Sequence, residues 1–429
     1  VSLRKERKVD NITLSASQTG IDTLWVMIAA FMVFLMQAGF GMLEAGLIRT
    51  KNTCNVLMNN FLDFCMATMG FFMFGYAIMF GPGNVFMGLK GWFLIGAHGE
   101  GDLSLYAHWI FHAVFCGAAA TIVAGGVAER MRFKAYLTYS FIISAVIYPF
   151  VGHWIWGGGW LAKLNFADFA GSTVVHAVGG SAALIGTLIL GPRIGKYNKD
   201  GSANAIEGHS MTLASLGTLI LWFAWFGFNA GSTLHVGDGG QIAHVAMTTN
   251  LSAAAGRLSG MFFAWHKFGK PDLSMTMNGA LAGLVAITAS CAYVVPGEAV
   301  IIGAIGGIVV VLGTILLDKL RIDDPVGAVP VHFMNGIWGT LAVGIFGHKA
   351  LGLANNGLAH GGGFTQLGIQ FLGVITVVVF VSGGMFVVFK VIGALCGGLR
   401  VSREEEFKGL DITQHGMESY SGFEIFTTK

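Results

Sequence analysis

Charge is scarce in this chain. Asp, Glu, Lys and Arg make up 11% of its 429 residues, against 54% that are hydrophobic. With a mean hydropathy of +0.68, that excludes the two or three water-soluble domains its length would otherwise suggest. The net charge is +2, with no basic stretch built for nucleic acid and no acidic tail. The 7 prolines form no linker. The 5 cysteines (Cys54, Cys65, Cys116, Cys291 and Cys396) lie in apolar stretches without C-x-x-C spacing. They read as small apolar residues rather than a disulfide framework or zinc site. With no Ser/His/Asp triad, phosphate loop or clustered metal ligands in the sequence, neither enzyme activity nor a cofactor or metal is expected.

Long apolar runs are plentiful, with 64 glycines and 34 phenylalanines among them. About eleven runs can be drawn, at 23–48, 55–80, 107–128, 135–156, 172–191, 210–232, 241–264, 275–293, 298–317, 328–347 and 366–396. A bilayer crossing takes about 20 helical residues, and only helix satisfies an isolated span's backbone in lipid. The loop charges alternate. Arg49 and Lys51, Arg130, Arg132 and Lys134, Arg193, Lys196 and Lys199, Lys267 and Lys270, and Lys319 and Arg321 share one side, against Lys90, Lys163 and Lys349 on the other. The positive-inside rule then places the N-terminus outside and the tail from about Arg400 in the cytoplasm. Arg4, Lys5, Arg7 and Lys8 run against this, but lie well ahead of the first span.

Two distant segments share one polar pattern, D-x-x-G-x-x-x-V-H-x-x-x-G: Asp168 to Gly180 with His176, and Asp324 to Gly336 with His332. They open the fifth and tenth spans, so each repeat holds five helices and the second copy enters the membrane inverted. Each histidine follows its aspartate by eight residues, about 12 Å of helix. In a hydrocarbon core about 30 Å thick, both imidazoles come near the midplane from opposite faces. The expected fold is therefore an all-α integral membrane protein of two inverted five-helix repeats (about 23–191 and 210–347) and a long last helix (366–397). An extracellular segment, 1–22, precedes this 23–397 unit, and a cytoplasmic tail, 398–429, follows it.

Most of the polar and aromatic features allow more than one reading. Asp168 and Asp324 suit helix capping, with cation binding as the alternative. His176 and His332 are compatible with buried core histidines, with bis-histidine haem ligation, or with a hydrogen-bonded pair that passes protons in a narrow pore. The repeat favours the pair, since intramembrane ionisable groups usually mark a pathway. Phe111 and Phe115 share one helix face near the outer end of span three, Trp156 ends span four, and Phe228 and Ser232 end span six. These suit either an interfacial aromatic belt or a cation cage. Arg257 in span seven must face protein, water or a partner chain, or else snorkel, and Glu44, near the inner end of span one, could snorkel or pair with a cationic neighbour.

Taken together, these motifs resemble the ammonium transporter family (Amt/Mep/Rh), closest to its bacterial Amt branch. The resemblance runs from the first span to the tail. It includes Gly46-Leu-Ile-Arg49-Thr-Lys-Asn52, Ala128-Glu129-Arg130, Trp156-Gly-Gly-Gly159, both histidine segments, Trp225-Phe-Gly-Phe-Asn-Ala-Gly-Ser232, Asp323-Asp-Pro325 and Gly409-Leu-Asp-Ile-Thr-Gln-His-Gly416. It implies a homotrimer in the plasma (inner) membrane, with one pore per protomer carrying ammonium or ammonia. Phe111, Phe115, Trp156 and Ser232 would form the outer substrate site, Phe115 and Phe228 the gate, and His176 and His332 the proton relay. Asp168 would be structural and assist deprotonation. A PII-type signal protein is an implied partner at the tail. Arg257, where the family has a small apolar residue, and the extension Met417–Lys429 depart from the pattern. The extension reads as the start of a linker to a signalling domain, which leaves an ammonium sensor as the alternative function. A passive gas channel fits less well, because a neutral gas needs no cation cage.

Overall fold

The computed structural model describes residues 2–420, with side chains from residue 17 onward. The basic cluster at residues 4–8 (as side chains) and the end of the tail extension, 421–429, lie outside the described residues.

Nine helices among the described residues are long and apolar enough to cross a membrane. In chain order they are α1 (Ser17–Leu47), α2 (Thr50–Phe80), α3 (Leu105–Val127), α4 (Phe133–Lys163), α5 (Ser172–Leu190), α6 (Met211–Gly231), α9 (Pro296–Lys319), α10 (Val329–Phe346) and α11 (Thr365–Leu395). Two more, α7 (Gly240–Phe268) and the shorter α8 (Leu273–Thr288), complete the eleven. Helix extends N-terminally from α1 to Ser2, ahead of the apolar stretch.

Local chemistry sets several of these ends. Ser104, Ser210 and Asp272 each accept the backbone N–H three residues on, and Pro296 sits in the first turn of α9. Span eight is the exception: α8 stops at Thr288, five residues before the apolar run ends at 293. There Ala170 N donates to the Thr288 carbonyl (3.1 Å), and Ala289 N donates to Ser172 Oγ (2.7 Å), so the entry to α5 takes up the peptide groups that would continue α8.

The chain is an all-α membrane protein of two inverted five-helix repeats, α1–α5 and α6–α10, closed by the long α11. Helix α3 is central, with 94% of its apolar window buried, whereas α11 flanks the bundle, with 28% buried. The repeats meet where α5 crosses α10. A Cβ on Gly180 would lie 2.3 Å from Phe333 N, and one on Gly336 2.6 Å from the Ser172 carbonyl. The last glycine of the shared pattern is thus what lets the two backbones approach.

Glu44 does not snorkel, and no cation among the described residues pairs with it. It is buried and accepts a hydrogen bond from Asn60 Nδ2 at 2.9 Å. Arg257 is half-buried on α7.

Candidate functional site

Both copies of the repeated pattern build the same local structure. Gly171 and Gly327 hold positive φ (+113° and +84°), where a side chain would be strained. Asp168 Oδ1 accepts Gly171 N (3.0 Å), and its Oδ2 accepts Thr173 N (2.8 Å) and Val174 N (2.9 Å). Asp324 accepts Gly327 N and Ala328 N (both 3.1 Å) and Val329 N (2.7 Å). Each carboxylate thereby satisfies the free N–H groups of a helix start. Both helices then open on a π-helical turn, Ser172–Ala177 and Val329–Met334, and each turn carries its histidine. Such turns recur at functional sites.

His176 Nδ1 and His332 Nδ1 lie 3.1 Å apart, with nearly parallel rings (18°) and centroids 5.2 Å apart. His176 also stacks on Trp225 at 5.0 Å, and the Trp225 indole is anchored to Thr288 Oγ1 at 2.9 Å. Both imidazoles are buried, and His176 Nε2 makes no hydrogen bond among the described residues.

On the side that the loop charges assign to the outside, here called outer, Phe228 lies 5.5 Å from His176 and stacks on Phe115 at 4.0 Å. Beyond that stack is a cavity of about 230 Å³ whose lining includes Phe111, Phe115, Trp156 and Ser232. Ser232 Oγ donates to the Phe228 carbonyl (2.8 Å), which leaves its lone pairs free. Trp156 Nε1 donates to the backbone carbonyl of Asp168 (2.7 Å). Inward of His332, a void of about 20 Å³ is lined by Phe40, Val331 and Asn278 among others, room for about one water. Asn278, Val326 and Gly327 also line an inner cavity of about 510 Å³. The outer cavity, ring stack, imidazole pair and inner cavities therefore lie along one path. All the residues singled out from the sequence for substrate, gate and relay are on it, and Asp168 supports its wall.

Sequence reasoning missed three features. His112, 5% exposed, faces the outer cavity, and neither ring nitrogen is hydrogen-bonded among the described residues. Behind it His108 contacts Tyr76 OH (2.8 Å) and Glu100 (3.2 Å). The only available signal was the i, i+4 spacing of His108 and His112 on the face next to Phe111 and Phe115. Asp63 is fully buried in α2, bonded by Tyr136 OH (2.9 Å) and by Ser140 Oγ.

The third is an ion network beneath the bundle. Arg193 pairs with Asp323 (2.8 Å) and with Glu129 (2.6 Å), and Glu129 also pairs with Arg49. Burial alone would raise the Glu129 carboxyl, but Arg193 and Arg49 outweigh it and hold the group below its ordinary range. Asp323 is likewise held far down, since Arg193 overcomes the cost of its burial. On this layer the tail docks. Asp411 accepts Asn55 N (2.8 Å) and Cys54 N (3.0 Å), Leu410 N donates to Asn52 Oδ1 (2.9 Å), and Arg400 pairs with Glu406 (2.6 Å). His415 lies 2.9 Å from Asn55 Nδ2.

Inverted helical repeats that meet around a buried path define a transporter architecture. The comparisons assign it to a family. The model of the Ammonium Transporter Family matches residues 24–420, and the chain belongs to that family. It is 46% identical to "Ammonium transporter Amt2" of Archaeoglobus fulgidus over 421 residues, covering 94% of this chain and 89% of that protein. Among solved structures it superposes on a protein named "Sensor Amt Protein" with a TM-score of 0.88 at 40% identity, covering 94% of this chain and 100% of the other. Candida albicans Mep2 follows at 0.82 and 28%, over 90% and 87%.

Proposed function

We propose that each chain conducts ammonium inward through its own path, with deprotonation on the way. The observation that carries this reading is the imidazole pair, held at 3.1 Å directly beneath the Phe115–Phe228 stack. The outer cavity recruits the cation. Ring faces of Phe111, Phe115 and Trp156 attract it, and Ser232 Oγ and a neutral His112 nitrogen accept its N–H bonds. Potassium, similar in size and charge, offers no N–H to donate and no proton to lose. Ammonium gives up its proton near Trp156 and Asp168, and ammonia passes the Phe115–Phe228 gate. The proton follows through His176 and His332, where a buried pair of nitrogens can hand it on but cannot hydrate a metal cation. Asp168, whose oxygens are taken by backbone N–H groups, keeps the π-turn of His176 in place. The chains assemble as trimers with the N-terminus outside and the tail in the cytoplasm, accessible to a PII-type protein.

The test is the current evoked by an ammonium jump in proteoliposomes, with a potassium jump as control. A saturable, ammonium-specific current supports transport, and silence in protein that still binds ammonium overturns it. The docked tail and the 40% identity to a protein named as a sensor favour a second reading, in which occupancy of the same outer cavity is reported through the tail. Silence with a tail that moves on ammonium binding selects that reading.

A further inference from the structure

Glu298, His348 and His360 are scattered over 62 positions of sequence, and the fold brings them together at the N-terminal end of α9. Glu298 lies in the first turn of α9, His348 just after α10, and His360 in the 3-10 turn Leu358–His360 ahead of α11. His360 Nε2 lies 2.6 Å from Glu298 Oε1, and His348 Nε2 lies 3.0 Å from Oε2. The two imidazoles stack with centroids 3.7 Å apart, and the ligating atoms of all three residues fall within 4.8 Å of one another. The sequence showed no metal-ligand spacing, because these groups are neighbours only in the fold.

The geometry points to a binding site here for one divalent ion of the zinc class, held by two imidazoles and one carboxylate. Zinc–nitrogen and zinc–oxygen bonds of about 2.0–2.2 Å put tetrahedral ligand atoms about 3.3 Å apart. The present 2.6 and 3.0 Å contacts therefore need to open by less than about 1 Å to admit an ion. Two nitrogens with one carboxylate suit zinc, cobalt or nickel, whereas calcium and magnesium require all-oxygen shells. Side-chain exposures of 21% for His348 and 28% for His360 leave one side open for a water as fourth ligand.

The ligands are already positioned. Glu298 Oε2 accepts Val295 N (2.9 Å), which fixes the carboxylate over the helix start. His348 N donates to the Tyr293 carbonyl (2.8 Å), and Gly357 N donates to the Gly347 carbonyl (2.6 Å), which closes the loop between the histidines. Little ordering remains for the ion to impose. Bound, it ties the start of α9 to the α10–α11 loop. Tyr293 in turn packs edge-on against Phe169, which lines the outer cavity, at 5.8 Å. The site is thus one residue removed from the substrate path yet separate from it.

The experiment uses tag-free, chelator-treated full-length protein in detergent, titrated with cobalt and zinc. Binding is read from the cobalt absorption spectrum, from calorimetry and from metal content per chain. One ion per chain with a tetrahedral cobalt spectrum of mixed nitrogen and oxygen ligation is expected, and calcium and magnesium should not compete. The pair H348Q/H360Q should weaken binding at least about 100-fold, while H266Q, at an exposed histidine near the end of α7, should leave it unchanged. Equal binding by wild type and the double variant overturns the proposal. So does wild-type protein that takes up no cobalt at stoichiometric concentration, a result that does not depend on how the variants fold.

Discussion

His176 and His332 are 156 residues apart in sequence, yet their Nδ1 atoms are 3.1 Å apart where the two repeats meet. At that distance only one of the two facing nitrogens carries a proton, so each ring's protonation is tied to the other's. Replacing both with leucine keeps apolar bulk but removes the shared proton. The ammonium-evoked current should fall at least tenfold, while helix content and detergent-size profile stay unchanged. An undiminished current would show that the pair is not the relay.

His112 is expected to act on recruitment. Its two free nitrogens face the outer cavity, so His112→Phe preserves the ring and loses an acceptor. A hydrogen bond to a charged group contributes about 1.5–3 kcal/mol, so half-saturation for ammonium should rise about tenfold or more, with the maximal current retained. Concentration–current curves measure it. A change in maximum alone would place His112 outside the recruitment step.

Gly180 marks the crossing of the repeats. Gly180→Ala places a methyl 2.3 Å from Phe333 N, a backbone atom with little room to give. Overpacking costs about 1–3 kcal/mol where side chains can adjust, and more is expected here. Thermal unfolding in detergent should come earlier by several degrees, and the adjacent histidine pair should separate, lowering the current as well.

The ion network predicts acid sensitivity of a definite sign. Glu129 and Asp323 have folded-state values held below their ordinary ones. Their stabilisation is present above the unfolded carboxylate range and is lost as pH falls through the folded values. Stability should therefore drop below about pH 4.5, near the ordinary glutamate value. Arg193→Met leaves buried Asp323 without its ion pair and Glu129 with Arg49 alone, a loss of about 3–5 kcal/mol at neutral pH. If that variant melted like wild type at pH 7, the network would carry no stability.

The tail should respond to milder acid. Burial lowers the His415 value, so the docked state prefers the neutral ring. Protonation as pH falls below about 6.5 should loosen the tail. Asp411, raised by its own burial, shifts in the opposite sense and opposes the change. Protease cleavage within 403–420 should be faster at pH 5.5 than at 7.5, and His415→Gln should remove most of the difference.

The eleven helices were legible in the sequence because a bilayer demands about 20 apolar residues per crossing and no alternative backbone pairing exists in lipid. The inverted repeat was equally legible, since Asp, Gly, His and Gly recur at the same offsets and an odd helix count forces inversion. Phe111, Phe115, Trp156, Phe228 and Ser232 could be gathered by helix phase and span end. Their resemblance to a known family, more than geometry, chose a cation cage over an aromatic belt.

Only the tertiary structure could decide the rest. The early end of α8 depends on Ser172, a residue from another repeat, and no local pattern signals it. The π-turns under both histidines follow from carboxylates that each capture three N–H groups, a geometry that spacing alone does not specify. Glu44, expected to reach water or a cation, is held by Asn60 one helix away. The Glu298–His348–His360 cluster and the Arg193–Asp323–Glu129 network join residues from separate loops and a helix start. Sequence periodicity fixes which residues share a helix face; which faces and loop ends meet is set by packing among distant segments.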